Sequence, residues 1–325
     1  MSKFIYSFSL ILFGLLLGYG VQIMASSGRI ALPTTTDQLR KLLQRIALLV
    51  LNPVAIVGAV WAVNIESVSI AALPFIGFFA LVAGGALALG FARLLKLEPR
   101  KKGAMFCCGS FTNIGSIGAL ICFVFLGEAG FALVPIYKLF EEVSYYSIGF
   151  PIARLYAGSD VEDSSVSERL KGLARDPFII VAVSSIVIGA MLNWSDVPRP
   201  GFYKSLISVF VPLGTIMLLA SIGLALRFRR VRDYLPESAA VAGIKFLIVP
   251  ACATTLAAII GFGRIDGGLP LKVVIVLSSM PVAFNALIPP SIYDLDLDLA
   301  NSCWFVTTAM LVVILPLLLL ILNLL

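Results

Sequence analysis

Polar side chains that can bind a ligand lie inside long apolar stretches of this sequence. Asn285 lies in a stretch that Pro281, Pro289 and Pro290 interrupt. A proline inside a helix costs about 3 kcal/mol, and in lipid such a break is tolerated only where it is buried in protein or lines a watery cavity. A broken membrane span with a polar residue at its break is typical of a transporter, so this stretch predicts a binding site for a small solute.

A second interrupted stretch, CCGSFTNIGSIGAL, lies in the first half of the chain. Asn113 can donate to a carboxylate and can also cap a broken helix, and the two roles are compatible. Gly115 and Gly118 allow a ligand to approach the backbone closely. Half-helices that begin at such breaks point free N–H groups into the cavity, which favours an anion. The predicted substrate site comprises Asn113, Gly115, Ser116, Gly118, Pro281, Asn285 and Pro289.

Ionisable side chains in one apolar segment form a further candidate site. At about 100° per residue, a helix places Lys138, Glu142, Tyr145 and Gly149 on one face, with Glu141 beside them. A charge near the middle of the bilayer costs at least about 2.5–3.5 kcal/mol, so this face should meet a cavity or a partner. Either a Lys138–Glu142 pair only holds the helix in place, or the group couples transport to an ion. In the second case one glutamate takes up a proton, or the carboxylates bind sodium.

Two other polar features have alternative interpretations. Lys245 lies about two turns from the predicted cytoplasmic end of its segment, where it would either extend to the membrane interface or contact an anionic substrate. The acidic sequence YDLDLDLA, which begins at Tyr293, would form either a solvated turn or a gate at the cytoplasmic mouth.

The composition is that of an integral membrane protein. Of the 325 residues, 60% are hydrophobic and 13% are charged, against about 25% charged in a soluble domain. There is no histidine, which excludes imidazole catalysis and histidine-ligated metals, and no cysteine pair has CxxC spacing. We expect no catalytic residue, metal or cofactor. The basic residues do not alternate with aromatic ones, so we expect no nucleic-acid partner.

Hydropathy predicts an all-α fold with ten membrane-spanning segments. The first five are 4–24, 42–63, 68–95, 103–126 and 130–156, and the second five are 177–194, 205–226, 238–262, a broken span ending near 292, and 299–322. In the first span, Gly14 and Gly18 form a small-residue face that suits helix packing, although a cleaved secretory signal is the alternative. The second span contains Asn52-Pro53, which predicts a break, and the seventh contains Pro212.

Most of the 24 lysines and arginines lie in the connections after the first, third, fifth and seventh spans. The positive-inside rule therefore places both termini outside the cytoplasm and residues 158–176 as a cytoplasmic linker, in a multi-pass protein of the cell (inner) membrane. Residues 1–157 and 177–325 each hold five spans. Because five is odd, the halves insert in opposite orientations, which predicts an inverted repeat with the broken span fourth in each half.

The two interrupted stretches resemble those of the auxin efflux carrier family, which contains the plant PIN exporters and many bacterial carriers. The resemblance covers essentially the whole chain and is strongest in MPVAFNALIPPSIYDLDLDLA (Met280 to Ala300) with the following NSCWFVTT. NIGSIGAL (Asn113 to Leu120) is similar to the family's Asn-x-Gly-x-x-Gly-x-Pro pattern, with Leu120 where the family usually has proline. The central linker is short, so the resemblance points to a compact prokaryotic type.

This resemblance implies ten helices, of which spans one, two, six and seven form a scaffold that often dimerises. Spans three to five and eight to ten would form a mobile transport domain, with the fourth and ninth crossing at their breaks. The implied substrates are small organic anions, such as dicarboxylates or auxin-like acids, and the implied direction is often export. The implied partners are this anion, membrane lipid and a second copy of the chain.

The rivals of an alternating-access anion carrier are a sodium-coupled carrier, an intramembrane enzyme and a sensor or receptor. A sodium-coupled carrier of the bile-acid or arsenite type has similar architecture, and sodium dependence of uptake distinguishes it. An intramembrane enzyme is disfavoured because no histidine, aspartate pair or serine–lysine dyad can be recognised. A sensor or receptor is disfavoured because the sequence has no soluble output domain, and the missing GxxxxGK[ST] loop argues against an ATP-driven pump.

Overall fold

The computed structural model describes residues 2–30, 34–62, 68–157, 175, 177–195, 197–226 and 231–325. Within these residues the regular structure is helical, with one isolated β-bridge. In the described part of the chain, seven helical stretches are long and apolar enough to cross a membrane, and there are eight if a bent pair near the C-terminus counts as one span. The protein is therefore a multi-pass helical membrane protein.

Sixteen helices are named here in chain order. Those of the first half are α1 (Ser2–Ser26), α2 (Thr36–Ile46), α3 (Asn52–Ala62), α4 (Leu73–Leu94), α5 (Pro99–Ser110), α6 (Ala119–Tyr137), α7 (Glu141–Ser144) and α8 (Phe150–Leu155). Those of the second half are α9 (Pro177–Trp194), α10 (Phe202–Gly223), α11 (Leu235–Gly243), α12 (Val249–Ile260), α13 (Leu269–Ser278), α14 (Ile288–Ile292), α15 (Leu297–Ala309) and α16 (Leu311–Leu324). The predicted sixth span, 177–194, has the bounds of α9.

Short turns of other helical types join several of these helices. The π-helical turns are Ala47–Leu51, Ile114–Gly118, Tyr145–Gly149 and Ile244–Ile248. The 3₁₀ turns are Val68–Ala72, Val231–Tyr234, Phe262–Arg264, Asp266–Gly268 and Phe284–Leu287.

The predicted break at Asn52-Pro53 is wrong, because the chain passes from α2 to α3 without leaving helical geometry. Asn52 has φ −63° and ψ −45°, and the π-helical turn Ala47–Leu51 directly precedes it. A proline lacks an N–H and clashes with the carbonyl four residues earlier. The wider π turn accommodates both effects, so Pro53 produces a local widening rather than a break.

The chain divides into two compact units, and the first comprises Met1–Ile65, Gly115–Pro135 and Pro177–Arg227. In it α1 packs on α10, and α9 packs on α3. A Cβ at Gly18 would lie 2.0 Å from the carbonyl oxygen of Ala220, and one at Gly14 would lie 2.8 Å from Leu219 Cβ. Glycine thus permits this close approach, which is the packing that the small-residue face of the first span predicted.

Polar contacts support one end of the first unit. The Arg199 guanidinium forms an ion pair with Glu128 and donates a hydrogen bond to the Gly58 carbonyl at 2.9 Å. Gly127, directly before Glu128, has φ 77° and ψ −165°, which interrupts α6. Glycine adopts this positive φ without steric cost, so the sequence places a bend at this point.

The second unit comprises Glu66–Ile114, Ile136–Asp176 and Phe228–Leu325. In it α4 packs along α5, where Gly84 meets the carbonyl of Gly109, and α15 packs on both α5 and α11. The helices that the resemblance assigns to a scaffold all lie in the first unit, together with 115–135. The predicted linker, apart from Arg175, and residues 227–230 lie outside the described residues.

The acidic sequence that begins at Tyr293 stabilises the start of α15. Asp296 accepts a hydrogen bond from the Leu299 N–H through Oδ1 at 2.9 Å, and from the Tyr234 hydroxyl through Oδ2 at 2.9 Å. A side-chain oxygen before a helix satisfies a backbone N–H that would otherwise have no partner. Asp294 is exposed and pairs with Arg100 at 3.0 Å. Asp296 is therefore a helix cap.

Candidate functional site

The two breaks, at residues 111–113 and 281–283, lie side by side in the second unit and exchange backbone hydrogen bonds. After α5 ends, Phe111 adopts extended backbone with φ −78° and ψ 121°. The Asn113 N–H donates to the Pro281 carbonyl at 2.9 Å, and the Ala283 N–H donates to the Phe111 carbonyl at 3.0 Å. These bonds flank the antiparallel bridge between Thr112 and Val282. Each break thus supplies partners for the backbone groups that the other leaves free, as non-helical backbone at membrane depth requires.

Thr112, in the first break, contacts two ionisable side chains from different helices. Its hydroxyl accepts a hydrogen bond from Lys245 Nζ at 2.6 Å, and its backbone N–H donates to the Tyr145 hydroxyl at 3.2 Å. The Tyr145 hydroxyl donates to Glu141 Oε1 at 2.8 Å, and Glu141 Oε2 forms an ion pair with Lys138 Nζ at 3.0 Å. We call these five residues the polar chain: Lys138, Glu141, Tyr145, Thr112 and Lys245.

Prolines help to position Tyr145 and Lys245. Tyr145 is the first residue of a π-helical turn that ends two residues before Pro151, and Lys245 lies in another that ends two residues before Pro250. A π turn widens the helix and changes the direction of the side chains around it, and such turns are frequent at functional sites. A polar residue five or six positions before a proline was therefore the signal in the sequence for both positions.

Aromatic packing fixes the Tyr145 ring against the first break. The rings of Tyr145 and Phe111 stack with centroids 3.9 Å apart and an interplanar angle of 17°. A Cβ at Gly149 would lie 2.6 Å from the Phe111 ring, so a larger residue there would displace it. The predicted face that carries Tyr145 and Gly149 therefore does meet the break.

Lys138 forms an ion pair with Glu141, the neighbour of its predicted partner Glu142. The prediction assumed an unbroken helix, whereas α6 ends at Tyr137 and α7 begins at Glu141, with turn geometry between them. This turn changes the angular phase, which brings the i,i+3 neighbour to the ammonium. The Glu141 side chain is 6% exposed and that of Lys138 is 31% exposed. Glu142 is half-buried.

Lys245 does not extend to the membrane interface, because it is 1% exposed and its ammonium lies at the end of α5. Besides Thr112, it donates to the Ser110 carbonyl at 3.3 Å. Burial of a charged group costs several kcal/mol, and hydrogen bonds to oxygens offset part of that cost. A buried lysine side chain therefore lies directly beside the first break.

The predicted substrate residues have different environments. Asn113 is 5% exposed, whereas Asn285 is exposed at the start of the 3₁₀ turn after the second break. The Pro281 carbonyl accepts the Asn113 N–H in the pairing of the two breaks. Pro289 is buried in α14, and its carbonyl accepts a hydrogen bond from the Tyr293 N–H at 2.9 Å. The π-helical turn Ile114–Gly118 holds Gly115, Ser116 and Gly118, which belong to the first unit.

Sequence reasoning missed three hydroxyl residues that support the breaks. Two of them are Thr112 and Ser110. The third is Thr307, whose Oγ1 accepts a hydrogen bond from the Val282 N–H at 3.2 Å and donates one to the Cys303 carbonyl at 2.7 Å. The sequence did contain a signal for these residues. Ser110 and Thr112 lie beside a predicted break, and Thr307 lies in NSCWFVTT, one helix away from the other break. In the described part of the chain, no three histidine, cysteine or acidic residues group as a metal site.

Replacing Tyr145 with phenylalanine is expected to lower the free energy of unfolding by about 2 kcal/mol, because Glu141 Oε1 and the Thr112 N–H each lose a buried partner. The ring keeps its stacking on Phe111, so packing is unchanged. Thermal unfolding of the purified protein measures the effect. Tyr6→Phe, at an exposed position, is the matched control, and equal midpoints for Tyr145→Phe and the unmodified protein would contradict the role of the hydroxyl.

Comparison with known proteins gives relatives but no family model that matches the chain. It is 23% identical over 303 residues to a protein of Methanothermobacter thermautotrophicus named an uncharacterized transporter, and the match covers 93% of each chain. It is 26% identical over 247 residues to an uncharacterized transporter of Methanocaldococcus jannaschii, covering 73% of this chain and 74% of that relative. Over most of its length, the chain is therefore similar to archaeal proteins named as transporters.

Proposed function

We propose that this protein is a secondary transporter that carries a small organic anion by alternating access and binds it at the two paired breaks. The observation that supports this most strongly is the pairing of Thr112 with Val282 in a multi-pass chain. A helix that only spans the membrane does not require an interruption. Paired interruptions of two membrane helices typically form transport sites. The similarity to proteins named as transporters agrees with this proposal.

The membrane topology that we propose has ten spans in two inverted repeats. The apolar helical stretch Ile114–Leu155 has 42 residues, or about 60 Å at 1.5 Å per residue, which is twice the thickness of the hydrocarbon core. We divide it at Gly127, whose backbone interrupts the helix. The broken stretch from α13 to α14 then forms the ninth span. Both termini lie outside the cytoplasm of the cell membrane, and the carrier is a homodimer of the auxin efflux carrier type.

The charges at the breaks favour an anion as the substrate. Lys245 places a buried amino group at the first break. Asn285 is exposed beside the second break and can donate to a carboxylate. We assign substrate contact to Asn113 and Asn285.

The Lys138–Glu141 pair is the candidate for ion coupling. Glu141 is buried, yet two contacts connect it to Thr112 in the break through the Tyr145 hydroxyl. A carboxylate in this position can exchange a proton as the site changes its access. Coupling to sodium is the rival mechanism.

Uptake of labelled organic acids into proteoliposomes, under imposed proton or sodium gradients, tests the proposed function. We expect uptake of at least one dicarboxylate or aromatic acid, driven by the proton gradient without sodium. Strict sodium dependence would replace proton coupling by the rival mechanism. Empty liposomes are the control, and no flux of any acid under any gradient would contradict anion transport.

A further inference from the structure

The Lys245 ammonium is held by neutral oxygen atoms at the C-terminal end of a broken helix. Its contacts are the Thr112 hydroxyl at 2.6 Å and the Ser110 carbonyl at 3.3 Å. Among the described residues, no carboxylate lies in an ion pair with it. Glu141 is connected to it by hydrogen bonds through Tyr145 and Thr112. The Lys245 ammonium therefore contacts oxygen atoms of neutral groups.

The same oxygens would suit a small metal cation. In ion-coupled carriers, unwound backbone carbonyls and the C-terminal ends of half-helices coordinate sodium. The end of α5 carries the negative end of its helix dipole, which stabilises a cation whether the cation is free or attached to the chain. The position of the ammonium thus has the electrostatics and the ligand types of a sodium position.

The second break shows that this arrangement is specific to the first. There α13 ends at Ser278, whose hydroxyl donates to the Val274 carbonyl at 2.6 Å. The Val282 N–H is satisfied by the Thr307 hydroxyl. These contacts join neutral groups, so within the described residues the second break closes without a charge. Among the described residues, an ammonium therefore lies at the first break and not at the second.

We propose that Lys245 is a tethered cation that occupies the position of a coupling sodium ion, which makes the carrier independent of sodium. The consequence of this proposal for ion coupling rests on the proposed transport function. The cation position itself is a property of the folded second unit. Removal of the side chain should leave a vacant position between Thr112 and Ser110 that accepts sodium or a small ammonium ion.

Thermal unfolding of the full-length Lys245→Ala protein in detergent tests the proposal without any substrate. The salts are sodium chloride, methylammonium chloride and choline chloride at equal ionic strength. We expect sodium or methylammonium to raise the midpoint of the variant saturably, by about 5 °C over choline, because a ligand that binds only the folded state stabilises it. The unmodified protein should show the same midpoint in all three salts.

Two control variants separate a vacated cation position from general salt effects. Lys245→Met fills the space without a charge and should not respond to either cation. Lys204→Ala, at an exposed lysine of α10, should behave as the unmodified protein does. If Lys245→Ala does not fold, Lys245→Ser is measured instead, since its hydroxyl adds an oxygen ligand.

Identical midpoints of Lys245→Ala or Lys245→Ser in all three salts would overturn the proposal, as would stabilisation of the unmodified protein by sodium. Because these measurements need no transported anion, they can succeed even if the proposed substrate class is wrong. In proteoliposomes that take up an anion, equal rates in sodium and choline support the proposal. A requirement of the unmodified protein for sodium contradicts it.

Discussion

Replacing Asn285 with alanine is expected to reduce the initial rate of anion uptake about 10- to 100-fold while leaving the protein folded. A hydrogen bond to a charged group contributes about 1.5–3 kcal/mol, which corresponds to this range. The side chain is exposed in the second unit, and the Asn285 carbonyl still accepts the Ile288 N–H after the substitution. The loss should therefore appear in transport and not in the thermal midpoint.

The two asparagines are expected to differ, although the sequence suggests the same role for both. Asn113 is 5% exposed, and Asn113→Ala removes a buried side chain and leaves a cavity, so it should lower both uptake and the thermal midpoint. Asn323→Ala, at an exposed asparagine near the C-terminal end of α16, is the matched control. Unchanged uptake in both Asn113→Ala and Asn285→Ala would contradict a binding site at the paired breaks.

The positions of both breaks followed from local sequence, but their pairing did not. Pro281, Pro289 and the glycines after Asn113 interrupt helical geometry through effects of neighbouring residues, which composition shows directly. The pairing of Thr112 with Val282 joins residues far apart in the chain, and no periodicity contains that information. Only the family resemblance implied that the fourth and ninth spans meet.

The wrong prediction at Pro53 has one cause, which is the assumption of regular helix geometry. Pro53 did not break its helix because the π-helical turn before it accommodates the proline. The sequence left Lys245 two alternatives, which were the membrane interface and contact with an anionic substrate. The structure places it at the end of α5, since oxygens there satisfy the ammonium.

Lys138→Met is expected to be the most destabilising of three changes to the Lys138–Glu141 pair, lowering the free energy of unfolding by about 3 kcal/mol. The substitution leaves a buried carboxylate without its counter-ion, and breaking a buried pair costs about 3–5 kcal/mol. The lower end applies because the Lys138 side chain is 31% exposed. Glu141→Gln should cost less, since the remaining ammonium can reach water.

The double variant Lys138→Met/Glu141→Gln removes both charges and should recover most of that loss, to within about 1 kcal/mol of the unmodified protein. Thermal or denaturant unfolding of the four proteins completes the cycle. If the single variants add without recovery in the double, the pair is not energetically coupled.

Transport by the same variants separates a structural pair from a coupling site. If Glu141 takes up the proton, Glu141→Gln should remove the dependence of uptake on the proton gradient, whereas Glu142→Gln should retain it. A pair that only holds α7 in place would behave differently: the stable double variant would still respond to the gradient. Because Tyr145 connects Glu141 to the Thr112 backbone, the coupled outcome would also explain how a proton on a neighbouring helix alters the break itself.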